Sequence, residues 1–183
     1  GMAIALHGTP VVKFAPKHVE GMSTKFGETE IDYGKPFQRF DFPVEANDPG
    51  ALAANRTRQT LTWVGHSTFL LQIGGWNVLT DPVWSRRVSP VAWFGPERLT
   101  PPGLDFAVLP PIDVVILSHD HYDHLDVSTI KKLVKHHNPE FFVPLGISSF
   151  LTKIGVENTV DMDWWEERQI SPELTLTCVP AQH

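Results

Sequence analysis

Three histidines and two carboxylates occupy the six positions His119-Asp120-His121-Tyr122-Asp123-His124, directly behind the apolar run 113–118. Borderline-soft divalent ions take imidazole nitrogen and carboxylate oxygen at about 2.0–2.1 Å, and a catalytic centre keeps one position for water. His119 and His121 are two apart, so on an extended or loop backbone they can converge on one ion while Asp123 and His124 turn toward a second. The chemistry such a pair offers is hydrolysis by metal-activated water. A solvated polar turn is the bland alternative. Asp120, between the first two histidines, is expected to point away and anchor the loop through backbone amides. Two histidines do not complete an ion; His183, just past another predicted strand, is the natural candidate for a third ligand, although a histidine near a chain end is commonly a surface residue.

The elements around this cluster are predicted from periodicity. Leu61 to Val64, Thr68 to Ile73 and Trp76 to Thr80 read as strands, with Gly74-Gly75 as a turn, an antiparallel start to a sheet. Residues 82–111 hold seven prolines and the aromatics Trp84, Trp93, Phe94 and Phe106, and read as a loop excursion of the kind that shapes binding sites. The strand 113–118 then delivers the cluster at its C-terminal end. A helix follows, capped by Asp126 or Ser128, with Val127, Ile130, Leu133 and Val134 on one face, ending near Asn138-Pro139. A strand at 141–143, a helix from Ser148 to Ile154, a short strand about Val160 and a strand from Leu174 to Val179 complete the pattern. Residues 1–59 read as an irregular extension wrapping the core, with an aromatic cluster at Phe37, Phe40 and Phe42, and residues 60–183 as the domain proper.

Bulk composition narrows the function. The 183 residues are 42% hydrophobic with Trp 6 and Phe 11, enough for a real core. Net charge is -6 with no long basic run, which argues against nucleic acid as a partner and lends little to attachment at an anionic membrane surface. Cys178 is the one cysteine, so no intrachain disulfide forms, and its apolar neighbours suggest an inert buried thiol. No stretch reaches the length of a transmembrane helix and the start lacks a signal-peptide pattern, so a cytoplasmic soluble protein is expected. Gly1 ahead of Met2 reads as a residue left by tag removal.

Several phrases together resemble a known family: Thr-Trp-Val-Gly-His-Ser-Thr at 62–68, Thr-Asp-Pro-Val-Trp at 80–84, Ser-His-Asp-His-Tyr-Asp-His-Leu-Asp at 118–126, Val-Pro-Leu-Gly at 143–146, Asp-Trp-Trp-Glu at 163–166 and Val-Pro-Ala-Gln-His at 179–183. They resemble the metallo-β-lactamase superfamily, and within it the branch of N-acyl-phosphatidylethanolamine-hydrolysing phospholipase D and its bacterial relatives. The resemblance runs from about residue 36 to the end. It implies an α/β fold, the four-layer αββα sandwich, of which this chain would hold the N-terminal half. It also implies that His119, His121 and His183 hold one zinc, and Asp123 and His124 a second, with manganese or iron as rival metals. A bridging aspartate and a last histidine would come from beyond residue 183, so the remainder of the protein, possibly a separate chain, is an expected partner. The sheet face that remainder covers would be exposed here.

The flanking residues carry paired readings. His66 is either a catalytic-site group that contacts substrate or a ligand-orienting histidine, or else it satisfies a local turn. Asp81 can fix the tautomer of a ligating imidazole, and Asp81-Pro82 is also a good turn starter. Trp84, Trp93, Phe94, Trp164 and Trp165 could line an apolar entrance, but packing is the favoured reading for each. His136-His137 falls at a helix C-terminus, where helix-end electrostatics account for it. The expected reaction is phosphodiester cleavage on a small-molecule or lipid-like substrate, with Asp123 and His66 as catalytic candidates. Lactone, amide or other ester hydrolysis is the enzymatic rival, and a non-catalytic metal-binding or assembly protein the rival of a different class.

Overall fold

The computed structural model describes the backbone of residues 2–7 and residues 47–89 and 93–181 in full. The aromatic cluster at Phe37, Phe40 and Phe42, and His183, lie outside the described residues. Strands β2 (Thr60–Gly65), β3 (Thr68–Ile73) and β4 (Trp76–Thr80) form the expected antiparallel meander. Gly74 and Gly75 both have positive φ, 59° and 83°, the backbone a two-residue hairpin turn demands. Strands β5 (Val114–Ile116), β6 (Glu140–Pro144) and β7 (Thr159–Met162) then add in parallel, giving a six-stranded sheet in sequence order β2 to β7. Parallel pairing requires crossovers, and two helices supply them.

The first, α2 (Val127–His136), starts where Asp126 accepts hydrogen bonds from the Ser128 and Thr129 amides, and it buries Thr129, Ile130 and Leu133. The second, α3 (Ile147–Lys153), buries Leu151. Both agree with the predicted helices to within a residue or two at their ends. β5 is buried at all three positions, which is why its sequence is a continuous apolar run and does not alternate.

One α-helix and two strands were not anticipated. Helix α1 (Pro49–Ala54) lies within the stretch read as irregular, with Asp48 capping the Gly50 and Ala51 amides and proline at its start. Strand β1 (Met2–His7) pairs antiparallel with β9 (Leu174–Pro180), from Met2 opposite Pro180 to His7 opposite Thr175. Strand β8 (Glu167–Ser171) pairs on the other side, making a three-stranded sheet in the order β1-β9-β8. Neither β1 nor β8 carries a periodicity that identifies it alone. β8 begins with the exposed residues Glu167, Arg168 and Gln169, and pairing with β9 makes it a strand.

Apolar side chains sort to the two faces of the large sheet. On one face Leu70, Leu79, Val115, Leu117 and Phe141 pack with Ile130 and Leu133 of α2 and Leu151 of α3. On the other, Val78, Val114, Ile116, Phe142 and Met162 meet Leu176 and Cys178 of β9. Each fully buried aliphatic or aromatic side chain contributes roughly 1.5–3 kcal/mol relative to exposure, so these two layers of contact hold the fold. The result is a mixed α/β sandwich of helices, a six-stranded sheet and a three-stranded sheet. The smaller sheet packs opposite β4 to β7 and leaves β2 less covered. Leu61 sits opposite Leu71 on the inter-sheet face, yet Leu61 is 42% and Trp63 63% exposed. The face is therefore covered over most of its width and open at the edge strand β2.

Candidate metal centre

The site is organised from beneath by Asp81, at the C-terminal end of β4. It is buried, and its backbone adopts φ 36°, unusual for a residue with a side chain. One carboxylate oxygen accepts from the Ser118 amide at 2.7 Å, and the other accepts from the Ser118 hydroxyl at 2.7 Å. That second oxygen also stands 2.8 Å from Nδ1 of His124. Because the Ser118 proton goes to Asp81, the Ser118 oxygen is left to accept from Nδ1 of His119, 2.8 Å away. Both imidazoles are thereby fixed with the proton on Nδ1 and Nε2 available as a ligand. The expected tautomer-fixing role for Asp81 matches this geometry, and Ser118 extends it to a second histidine.

Above this layer the rings crowd together. The centroids of His119 and His124 are 4.0 Å apart, those of His119 and His121 4.5 Å, and those of His66 and His124 5.1 Å. His66 has φ 50° in the tight β2–β3 connection, and its carbonyl accepts from the Trp63 indole at 3.0 Å. This conformation carries the His66 ring across to the ligand loop. There Nε2 lies 2.9 Å from an Asp123 carboxylate oxygen, which is itself 3.6 Å from Nε2 of His124. His66, Asp123 and His124 offer ligand atoms that all lie within 4.8 Å of one another. A donor set of two imidazoles and a carboxylate, with one imidazole oriented by a buried aspartate, suits a borderline-soft divalent ion.

Electrostatics agree with a carboxylate kept ionised. Burial works to raise the Asp123 pKa, but a backbone hydrogen bond, the His124 charge and the His66 contact outweigh it, and the group lies below the usual carboxylate value. The loop closes as a turn, with the His124 and Leu125 amides both bonded to the His121 carbonyl. That corrects the expectation for Asp120: it accepts no hydrogen bond among the described residues, stands exposed, and lines both clefts beside the loop. The amide anchoring falls instead to the His121 carbonyl.

One cleft, of about 350 Å³, lies at the ends of the parallel strands between His119, Leu145, Met162 and Trp164. The other, of about 900 Å³, lies between His66, His121, Asp123 and the excursion 82–111, with Arg86 and Arg98 in its wall. The excursion is tied to α2 through Asp126, which accepts from Ser85 by both amide and hydroxyl at 2.9 Å and from the Thr129 hydroxyl at 2.6 Å. Trp84 packs as expected, edge-on to Phe106 and bonded by its indole to the Leu104 carbonyl. For Trp93, Phe94, Trp164 and Trp165 the packing expectation is overturned, since all four are well exposed. Trp165 holds φ 70° in a turn fixed by hydrogen bonds to Cys178, and this turn sets Trp164 at the smaller cleft.

The structure thus brings His66, His119, His121, Asp123 and His124 to one place, while His183 lies outside the described residues. His136 and His137 sit at the α2 terminus, as expected, away from the cluster; Nδ1 of His137 accepts from the Ile112 amide at 3.3 Å. Cys178 is buried between the sheets, and burial together with Asp163 and Glu166 pushes its thiol pKa up, consistent with an inert group. Sequence reasoning did not single out Ser118 or Arg98. Ser118 had a signal, a hydroxyl directly before the first ligand histidine, whereas Arg98 in a proline-rich loop had none.

Comparison with known proteins places this geometry. A family model described as a beta-lactamase superfamily domain matches residues 76–183. An uncharacterized protein of Mycobacterium tuberculosis is 46% identical over 143 residues, covering 77% of this chain and 38% of the relative. An N-acyl-phosphatidylethanolamine-hydrolyzing phospholipase D of Caenorhabditis elegans is 39% identical over 132 residues, covering 67% of this chain and 37% of the relative. Among solved structures, CmlA, a diiron beta-hydroxylase from Streptomyces venezuelae, superposes with a TM-score of 0.52 at 27% identity over 67% of this chain and 24% of that one. The chain spans 38% of the length of the mycobacterial relatives it matches. No helix among the described residues is long and apolar enough to cross a membrane. With the motif, the sandwich and the family match in agreement, the chain belongs to the beta-lactamase superfamily, in the metallo-hydrolase fold that includes N-acyl-phosphatidylethanolamine-hydrolyzing phospholipases D.

Proposed function

We propose that this chain carries the metal-binding part of a hydrolase that cleaves phosphodiesters through a dinuclear centre. The observation that carries the reading is the convergence of His66, Asp123 and His124 ligand atoms within 4.8 Å, beside His119 and His121 rings held in the same cluster. His119 and His121, with His183, would hold one ion, and Asp123 and His124 the other. His66 joins the second set: its Nε2 and the Asp123 oxygen that now bond to each other are among the atoms an ion would draw on. Divalent ions there, zinc in the first place, supply Lewis acidity and lower the pKa of water toward neutrality.

The chain's own residues do the rest. Asp81 and Ser118 keep Nε2 of His124 and His119 turned toward the centre. The Asp123 carboxylate, partly exposed to the larger cleft and held below the usual carboxylate pKa, can take a proton at the oxygen that does not face the ion. The choice of phosphodiester rests on the likeness to phospholipase D relatives; lactone or other ester cleavage is the alternative with the same centre. The CmlA likeness favours iron as the rival metal. Because the relatives are far longer, further ligands and the C-terminal partner of the sandwich are expected from sequence outside these residues.

Intact mass, metal content per protein by elemental mass spectrometry, and parallel phosphodiester and lactone assays test this reading. Nearly two ions with phosphodiester turnover is the expected result. Two ions with lactone turnover alone would move the substrate assignment. No bound metal at micromolar supply would end the proposal.

A further inference from the structure

Three arginines of the excursion line or flank the larger cleft, and they are not equivalent. Arg86 and Arg87 are both clamped by Glu97, at 2.6 and 2.9 Å. Arg98, the next residue, pairs with no carboxylate among the described residues. Its Nη2 donates to the Val83 carbonyl at 2.6 Å, and its Nε is buried with no hydrogen-bond partner. Asp126 is the acidic group whose charge reaches it, but the Asp126 oxygens are occupied by Ser85, Thr129 and the Trp84 and Ser128 amides. Burial accordingly disfavours the charged guanidinium.

Room for this side chain depends on a glycine. A Cβ on Gly65 would stand 2.7 Å from Nη1 of Arg98, so only glycine at 65 lets the guanidinium lie against the β2–β3 corner, next to His66. A half-buried cation that feels Asp126 only through its charge, with no hydrogen-bonded carboxylate among the described residues, gains when an anion arrives to share its N–H donors. Glu97, Asp120 and Asp123 also line this cleft, but Glu97 is already engaged by Arg86 and Arg87.

We propose that Arg98 is the recognition residue for an anionic group, a phosphate or a carboxylate, on the ligand that enters the larger cleft beside His66 and Asp123. The proposal deepens the hydrolase reading, on which the anion's being part of a substrate rests; the binding itself stands apart from turnover. Inorganic phosphate and, separately, acetate are titrated calorimetrically into the metal-loaded protein and into Arg98→Gln and Arg98→Lys, with thermal midpoints recorded for all three. Loss of the guanidinium is expected to weaken anion binding about tenfold or more, with lysine intermediate because it keeps charge without the planar fork. Tighter phosphate than acetate assigns a phosphoryl group, and the reverse a carboxylate.

Unchanged anion affinity in Arg98→Gln, with or without a lowered midpoint, would make Arg98 a strut for the excursion and overturn the proposal. If Arg98→Gln fails to fold, Arg98→Lys decides it alone, since affinity equal to the parent's would likewise overturn the proposal. Anion binding through Arg98 without any ester turnover would remove the hydrolase reading and leave this inference standing. Ester turnover indifferent to substrate charge and to Arg98→Lys would do the opposite.

Discussion

The two sides of the ligand loop are built on different terms. Beneath it, Asp81 and His124 have side chains only 8% and 14% exposed, and the carboxylate is occupied by Ser118 and His124. Above it, His66 and Asp123 are 52% and 40% exposed and hold each other by a single contact. Buried polar groups must be satisfied, so the lower layer has one arrangement and fixes ring orientation. The upper layer remains accessible to water, where an ion and a ligand can enter. Orientation is thus built into the core, and coordination is left to the surface.

Removing Asp81 should break this contrast most severely. Asp81→Ala leaves the part-buried Ser118 amide and His124 Nδ1 without their acceptor, at up to about 1–3 kcal/mol for each unsatisfied group, and frees the ring that it orients. Metal affinity is expected to fall about 10–100-fold, read by elemental mass spectrometry, together with a lower thermal midpoint. Normal metal content in a folded Asp81→Ala protein would show that the lower layer does not orient the ligands.

Next come the ligands themselves. Asp123→Ala and His124→Ala should each lower occupancy of the second ion selectively; equal loss of both ions would refute the division into two sets. His66→Gln, confined to the exposed layer, should weaken that same ion while leaving stability within about 0.5 kcal/mol, the range of ordinary surface substitutions. A large stability loss on denaturant titration would mean that His66 belongs to the scaffold.

The smallest effect is a pH dependence remote from the site. Burial, then the neighbouring His136 charge, holds the His137 pKa below its ordinary 6.5, and its unprotonated Nδ1 accepts from the Ile112 amide. A depressed folded pKa means that the unfolded chain binds the proton first as pH falls. The contribution of His137 is therefore complete above its unfolded value and declines as pH drops from there through the folded value. Thermal midpoints from about pH 7.5 to 5 should fall less steeply in His137→Gln than in the parent protein, and identical slopes would dismiss His137 as a source of acid sensitivity.

Much of the fold was legible. Strands β2 to β7, α2, α3 and β9 follow from local periodicity and caps, because each buries one face or stripe against the large sheet. Strands β1 and β8 escaped because their partner is β9, far along the chain for β1, and their own residues do not alternate cleanly. The exposed tryptophans escaped for a related reason: composition shows that aromatics are present, and only packing shows which of them find a cover.

The sequence by itself determined the donors: imidazoles and carboxylates at close spacing behind a buried strand, with Asp126 ready to start the helix that follows. Such information is local, set by residue type and by the reach of a few peptide units. Tertiary structure alone decided that His66 joins Asp123 across 57 positions, that Asp81 and Ser118 turn two rings to the same tautomer, and that Arg98, in the cleft wall, pairs with no carboxylate among the described residues. Those facts depend on which strands become neighbours and which groups water can still reach, and neither is written in the spacing of residues along the chain.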